Sequence, residues 1–183
     1  MWGVTSRHMN SQITPAPSPA ADSEWVENVP FDQLTLGQSA SLKRVVRSED
    51  LLVFAALSGD ANPAHLDPEY AQGTFFKGVI AHGMFGAALI SAVLGMQLPG
   101  PGAIYMSQSL KFLHPVHIGD ELTARVTITE LMPEKRHVSL ECVVLNQKGE
   151  AVISGEAMLL ASARKIRRPR VHLALPEAPA RLS

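Results

Sequence analysis

Apolar positions recur with two different periods along this chain, and the period changes near residue 100. Upstream, Ser39 to Arg47 reads as a strand, and Ser48 as the N-cap of a helix running to Leu57. Glu49 and Asp50 fall in that helix's first turn, where the positive end of the helix dipole favours carboxylates. Leu51, Leu52, Phe54, Ala55 and Leu57 give it an apolar face. Asp67-Pro68 opens a short helix through Ala71 or Gln72, because proline suits the first helical position. From Ala81 to Met96 the residues are apolar nearly all round, which predicts a helix buried on most sides. Gly83, Gly86, Ala87 and Ala88 let other backbones approach it closely. Leu98-Pro99-Gly100-Pro101-Gly102 stops it.

Downstream the period is two. Ala103 to Leu113, Glu121 to Leu131, Arg136 to Leu145 and Ala151 to Leu160 read as strands, with a hairpin turn at Asn146-Gln147-Lys148-Gly149. One buried helix followed by a meander of long strands predicts an α+β fold, with an antiparallel sheet wrapped around a central helix. Such a sheet has open edges that a second copy would cover, so a homodimer is expected.

The ends differ from this core. Thr14-Pro15-Ala16-Pro17-Ser18-Pro19-Ala20-Ala21 has nothing to bury, and residues 1–29 are expected to be a disordered tail. Residues 30–164 form the domain. Residues 165–183 are expected to be a basic tail, with Arg164, Lys165, Arg167, Arg168 and Arg170 as a solvated run or a contact for a phosphate-bearing partner. The net charge of −1 over 183 residues gives no global field for nucleic acid or a membrane surface. No apolar stretch reaches the ~18 residues that span a bilayer. The single cysteine, Cys142, excludes an internal disulfide and alternates with apolar neighbours as core packing does. No apolar signal core stands at the N-terminus, so a cytoplasmic protein is expected.

Candidate chemistry lies between the two halves. Asp60 and His65 stand five residues apart across the Asn62-Pro63 turn, a carboxylate and an imidazole able to exchange protons at neutral pH. The alternative is that Asp60 caps the turn and His65 packs at the surface. If the apolar helix begins at His82-Gly83, the Gly83 N–H has no intrahelical acceptor and can receive a carbonyl oxygen that gains negative charge. Equally, Gly83 could serve close packing and His82 a local cap. Ser91 lies eight residues after Gly83, about two turns on. His114 and His117 form an H-x-x-H, but Pro115 opposes a helical presentation and no third ligand is evident, so no metal is expected. No Gly-x-Ser-x-Gly element points to a serine hydrolase.

Taken jointly, these residues resemble the MaoC-like hot-dog hydratases, especially the (R)-specific enoyl-CoA hydratases, over residues 35–163. The resemblance rests on Ser58-Gly59-Asp60-x-Asn62-Pro63-x-His65-x-Asp67-Pro68 and Ile80-Ala81-His82-Gly83-Met84. Leu98-Pro99-Gly100-x-Gly102-x-Ile104-Tyr105 and Ser109-Leu110-x-Phe112-x-x-Pro115-Val116-x-x-Gly119-Asp120 extend it. Lys77-Gly78-Val79 departs from the family pattern beside the pocket. The resemblance implies a dimeric hot-dog fold and reversible hydration of trans-2-enoyl-CoA to (R)-3-hydroxyacyl-CoA without a cofactor. It implies Asp60 and His65 as the catalytic pair, Gly83 as the donor to the thioester oxygen, Ser91 as a further substrate-binding position, and Asn62 and His82 as support. The substrate would be an acyl-CoA or an acyl carrier protein thioester. A hot-dog acyl-CoA thioesterase and a non-catalytic acyl-thioester-binding module are the alternatives.

Overall fold

The structure is a computed structural model that describes residues 24–172. The elements are β1 (Trp25–Glu27), a single 3-10 turn (Phe31–Gln33), β2 (Ser39–Val45), α1 (Ser48–Ser58), α2 (Pro63–Leu66), α3 (Pro68–Gly73) and α4 (Gly83–Met96). Then come β3 (Ile104–Phe112), β4 (Glu121–Met132), β5 (His137–Leu145), β6 (Ala151–Leu160) and β7 (Arg167–Pro169). Among the described residues, five strands form one sheet in the order β2-β4-β5-β6-β3, with every pairing antiparallel.

Period-two patterning produces this sheet directly. Leu122, Ala124, Val126 and Ile128 of β4 and Val138, Leu140, Cys142 and Val144 of β5 turn to one face and are buried. The helix α4 packs against β4, β2 and β5 and adds Phe85, Leu89, Ile90, Val93 and Leu94 to the same core. Gly86 allows a close approach to β6, because a Cβ placed there would lie 2.4 Å from Ile153 Cδ1. The result is the hot-dog arrangement of a sheet around a central helix.

Two expectations change and a third is refined. Ser48 is the first residue of α1 and not its cap. The cap position is Arg47, whose N–H donates to Asp50 Oδ2 at 3.0 Å, while Asp50 also accepts from the Arg44 guanidinium. A charged acceptor held by two donors displaces the weaker serine hydroxyl from the capping role.

The helix α4, expected to be buried on most sides, leaves one stripe open. Met84, Ala88, Ser91, Gly95 and Met96 are exposed along one stripe. The edge strand β3 also exposes Ile104, Tyr105, Met106 and Phe112.

Parts of both predicted tails are ordered. Trp25–Glu27 pairs antiparallel with Arg167–Pro169. Asn28, only 2% exposed, knits the two segments: its Nδ2 donates to the Arg164 carbonyl at 2.9 Å and its Oδ1 accepts from the Ile166 N–H at 2.7 Å. Glu27 takes Lys165 at 2.9 Å and Arg167 at 3.2 Å, and Arg167 lies 4.5 Å over the Trp25 ring. The Arg170 N–H donates to the Glu24 carbonyl at 2.7 Å. The remainder of both predicted tails lies outside the described residues. Among the described residues, no helix is long and apolar enough to cross a membrane.

Candidate active site

The site is assembled where α1 ends, α2 begins and α4 starts. Gly59 closes α1 in the left-handed region (φ 78°), with its N–H on the Ala55 carbonyl at 2.8 Å. A side chain is disfavoured in that conformation, and glycine supplies it freely. The chain then turns through Asp60, whose N–H donates to Ser58 Oγ at 3.2 Å and whose Oδ1 accepts from the Asn62 N–H at 3.3 Å. Asn62 caps α2 by accepting from the Ala64 N–H at 3.0 Å, and Pro63 occupies the first helical position. Asn62 therefore holds the turn.

His65, half-buried on α2, places Nδ1 2.8 Å from the Ile80 carbonyl. A carbonyl only accepts, so Nδ1 carries the proton and Nε2 presents a lone pair when the ring is neutral. His82 stands at the cap position of α4 but makes no capping bond. Its ring is 3% exposed, with Nε2 2.9 Å from the Asp60 carbonyl, so this nitrogen donates. The rings of His65 and His82 lie 3.9 Å apart and tilted by 34°, and Phe54 of α1 lies 4.9 Å from the His82 ring.

Asp60, His65 and His82 bring possible donor atoms within 4.8 Å of one another. Two of the four imidazole nitrogens are committed to main-chain carbonyls. What remains suits proton transfer: an exposed Asp60 carboxylate within 4.8 Å of the histidine pair, and a His65 Nε2 not committed to a main-chain carbonyl. The H-x-x-H histidines are separated in role. His114 lines the cavity described next, while the His117 N–H donates to Asp120 Oδ2 at 2.8 Å.

Gly83 is the first residue of α4, so its N–H has no intrahelical acceptor. It opens into a cavity of about 400 Å³ lined also by His65, His82, Phe76, Phe112 and Ile153. A Cβ on Gly83 would lie 2.9 Å from Phe112 Cε1. The cavity thus joins the imidazoles of His65 and His82, the first residue of α4 and a largely apolar wall.

Ser91 is not brought into this cavity. It faces a neighbouring depression of about 440 Å³ with Phe54, Met84, Tyr105 and Met106. Tyr105 donates to Gln108 Oε1 there, and burial pushes its phenol up to about 12, so it stays a neutral donor. Two participants escaped the reading of the sequence: the Ile80 carbonyl that orients His65, and the Phe112 ring against Gly83. Each is supplied by a segment distant in sequence, and no local spacing signals it.

Residues 33–150 match the family described as MaoC like domain. Over 136 residues the chain is 54% identical to the (R)-specific enoyl-CoA hydratase of Rhodospirillum rubrum, covering 73% of this chain and 92% of that protein. It is 45% identical over 126 residues to the (R)-specific enoyl-CoA hydratase of Aeromonas caviae, covering 69% of this chain and 94% of that one. Among solved structures, an R-hydratase from Pseudomonas aeruginosa in the unliganded form aligns with a TM-score of 0.80 at 42% identity. That alignment covers 84% of this chain and 98% of the other.

Proposed function

The chain belongs to the MaoC-like family, and from that premise we infer that it is a lyase that reversibly hydrates trans-2-enoyl-CoA to (R)-3-hydroxyacyl-CoA. The observation that carries this reading is that Asp60 lies within 4.8 Å of His65 and His82, and that His65, His82 and Gly83 line one cavity.

In the proposed reaction the thioester oxygen accepts from the Gly83 N–H, and Asp60 and His65 hold one water. Water adds across the double bond: its oxygen bonds to C3, and a proton is delivered to C2. Negative charge builds on the thioester oxygen as the C3–O bond forms, and the Gly83 donor, at the positive end of α4, stabilises it. The His65 Nε2 lone pair is the acceptor for the water proton, because Nδ1 is held on Ile80. Loss of one oxyanion donor typically costs about 10²–10³ in rate. The apolar wall of Phe76, Phe112 and Ile153 suits an acyl chain. Ser91 is a candidate contact for the substrate in the neighbouring depression.

We assign a homodimer on the exposed apolar residues of β3, an unpaired edge, together with the exposed stripe on α4. We assign the protein to the cytoplasm, a compartment with which a single, buried cysteine outside any disulfide is consistent.

The test is crotonyl-CoA, followed by loss of the conjugated-thioester absorbance and chiral analysis of the product. The (R)-3-hydroxy product supports the reading. Release of free thiol with no hydroxy product refutes it in favour of hydrolysis. Thermal stabilisation by crotonyl-CoA without any product refutes it in favour of a binding module.

A further inference from the structure

We propose that His82 is a positioning residue that sets the geometry of the catalytic pair through its ring, beyond its place at the start of the central helix. This rests on the hydration reading above. His82 is in contact with both members of the pair. Its Nε2–H donates to the Asp60 carbonyl at 2.9 Å, and its ring lies 3.9 Å from that of His65. Phe54 lies 4.9 Å from the same ring and Phe85 lies 6.5 Å from Phe54, so the imidazole is buttressed by aromatic side chains of α1 and α4.

Two further observations separate this from ordinary packing. His82 occupies the cap position of α4 yet its side chain makes no capping bond there; the donor is spent on a loop 22 residues away. Its Nδ1 is buried with no partner among the described residues. A phenylalanine would fill the same space without a buried lone pair lacking a partner. The histidine is explained by its one satisfied bond, the donation to Asp60.

That bond acts where the loop is otherwise lightly held. Asp60 is exposed, and the side-chain bonds around it span only two residues each, to Ser58 and Asn62. Local bonds shape the turn but do not place it relative to α4. The His82 donor does, and Gly83 follows His82 directly in the chain. His82 therefore ties the Asp60 main chain to the start of α4, beside Gly83, and packs on the His65 ring that the Ile80 carbonyl also holds. A shift of about 1 Å in such an arrangement can cost on the order of 10² in rate.

The experiment uses the full chain and two variants. His82→Phe keeps an aromatic ring and removes the donor; His82→Gln keeps a donor and removes the ring. With crotonyl-CoA, His82→Phe is expected to lose about 10²-fold in kcat with KM within about two-fold. His82→Gln is expected to recover at least part of that loss, and the Asp60 to Asn62 amide NMR signals should move in His82→Phe and return in His82→Gln. A phenylalanine variant with wild-type kcat overturns the proposal, and so does a glutamine variant no better than phenylalanine. In the wild type, long-range ¹⁵N–¹H correlation should find the His82 proton on Nε2; a proton on Nδ1 overturns the proposal even if a variant fails to fold. Should the wild type not hydrate crotonyl-CoA, the functional reading fails, while the tautomer and the amide shifts still decide the contact.

Discussion

Asp60→Asn should separate chemistry from stability more cleanly than any other change at this site. The Asp60 carboxylate is exposed and accepts one bond, from the Asn62 N–H at 3.3 Å, which an asparagine oxygen can accept equally. Its contact with His82 runs through the main chain and survives the substitution. Surface changes of this kind stay within about 0.5 kcal/mol, and about 1 kcal/mol moves Tm by roughly 2–4 °C in a domain of this size. Tm should therefore move by no more than about 2 °C. Turnover should fall by about 10²–10⁴, the usual worth of a positioned proton-transfer group, or about 2.7–5.4 kcal/mol in the barrier at about 1.36 kcal/mol per decade. His65→Gln provides the contrast. It forfeits the Nδ1–H bond to Ile80, about 0.5–1.5 kcal/mol, and the ring contact with His82, about 0.5–1.5 kcal/mol. It should lose turnover equally and also melt several degrees lower. The assays are crotonyl-CoA hydration and thermal unfolding on the same preparations. Asp60→Asn with more than a tenth of wild-type kcat, or with the larger of the two melting losses, would sink the assignment of Asp60 as a catalytic group.

Other consequences follow from the packing. Gly86→Ala should lower Tm, because its Cβ would sit 2.4 Å from Ile153 Cδ1, whereas Gly95→Ala meets nothing within 4 Å and should be neutral or stabilising. Adding Ile153→Val to Gly86→Ala removes the clashing methyl and should restore part of the loss in thermal melts. Burial pushes the Cys142 thiol from 9.0 up to about 11, so a disulfide reagent at pH 8 should label it only as fast as the protein unfolds. The bond from Lys165 holds Glu27 below its usual 4.5. Its folded value is depressed, so its contribution is present above about 4.5 and is lost as pH falls through the lower folded value. Hydrogen exchange at the β1–β7 amides should quicken selectively in that acid window.

What the sequence made legible, and what it did not, divides along the range of the interaction. Alternation at Leu122, Ala124, Val126 and Ile128 marks a half-buried strand within one residue of its ends, because the pleat itself has period two. The apolar run from Ala81 to Met96 marked α4 to within two residues of its start at Gly83. The cover on α4 was not, because an apolar stripe facing a partner and one facing the core have the same composition. The contact between His82 and Asp60 depends on how the α1–α2 turn folds over the start of α4, and nothing in either motif encodes that distance. The β1–β7 pairing failed for another reason. Its strands are Trp25–Glu27 and Arg167–Pro169, too short for a period to show, and proline and arginine read locally as tail.

That pairing also changes how the chain is best pictured. Glu24 and Arg170, near the two ends of the described residues, are joined by a hydrogen bond of 2.7 Å, with Asn28 riveting the segments just inside them. Topologically the domain is a ring with one small gap, not a line folded upon itself. The entropy of bringing those ends together is already spent, so a short covalent bridge across the gap adds little further constraint to the native state. The ring can be reopened at the exposed Gln147–Glu150 turn, leaving every strand its neighbours and only the order of reading changed.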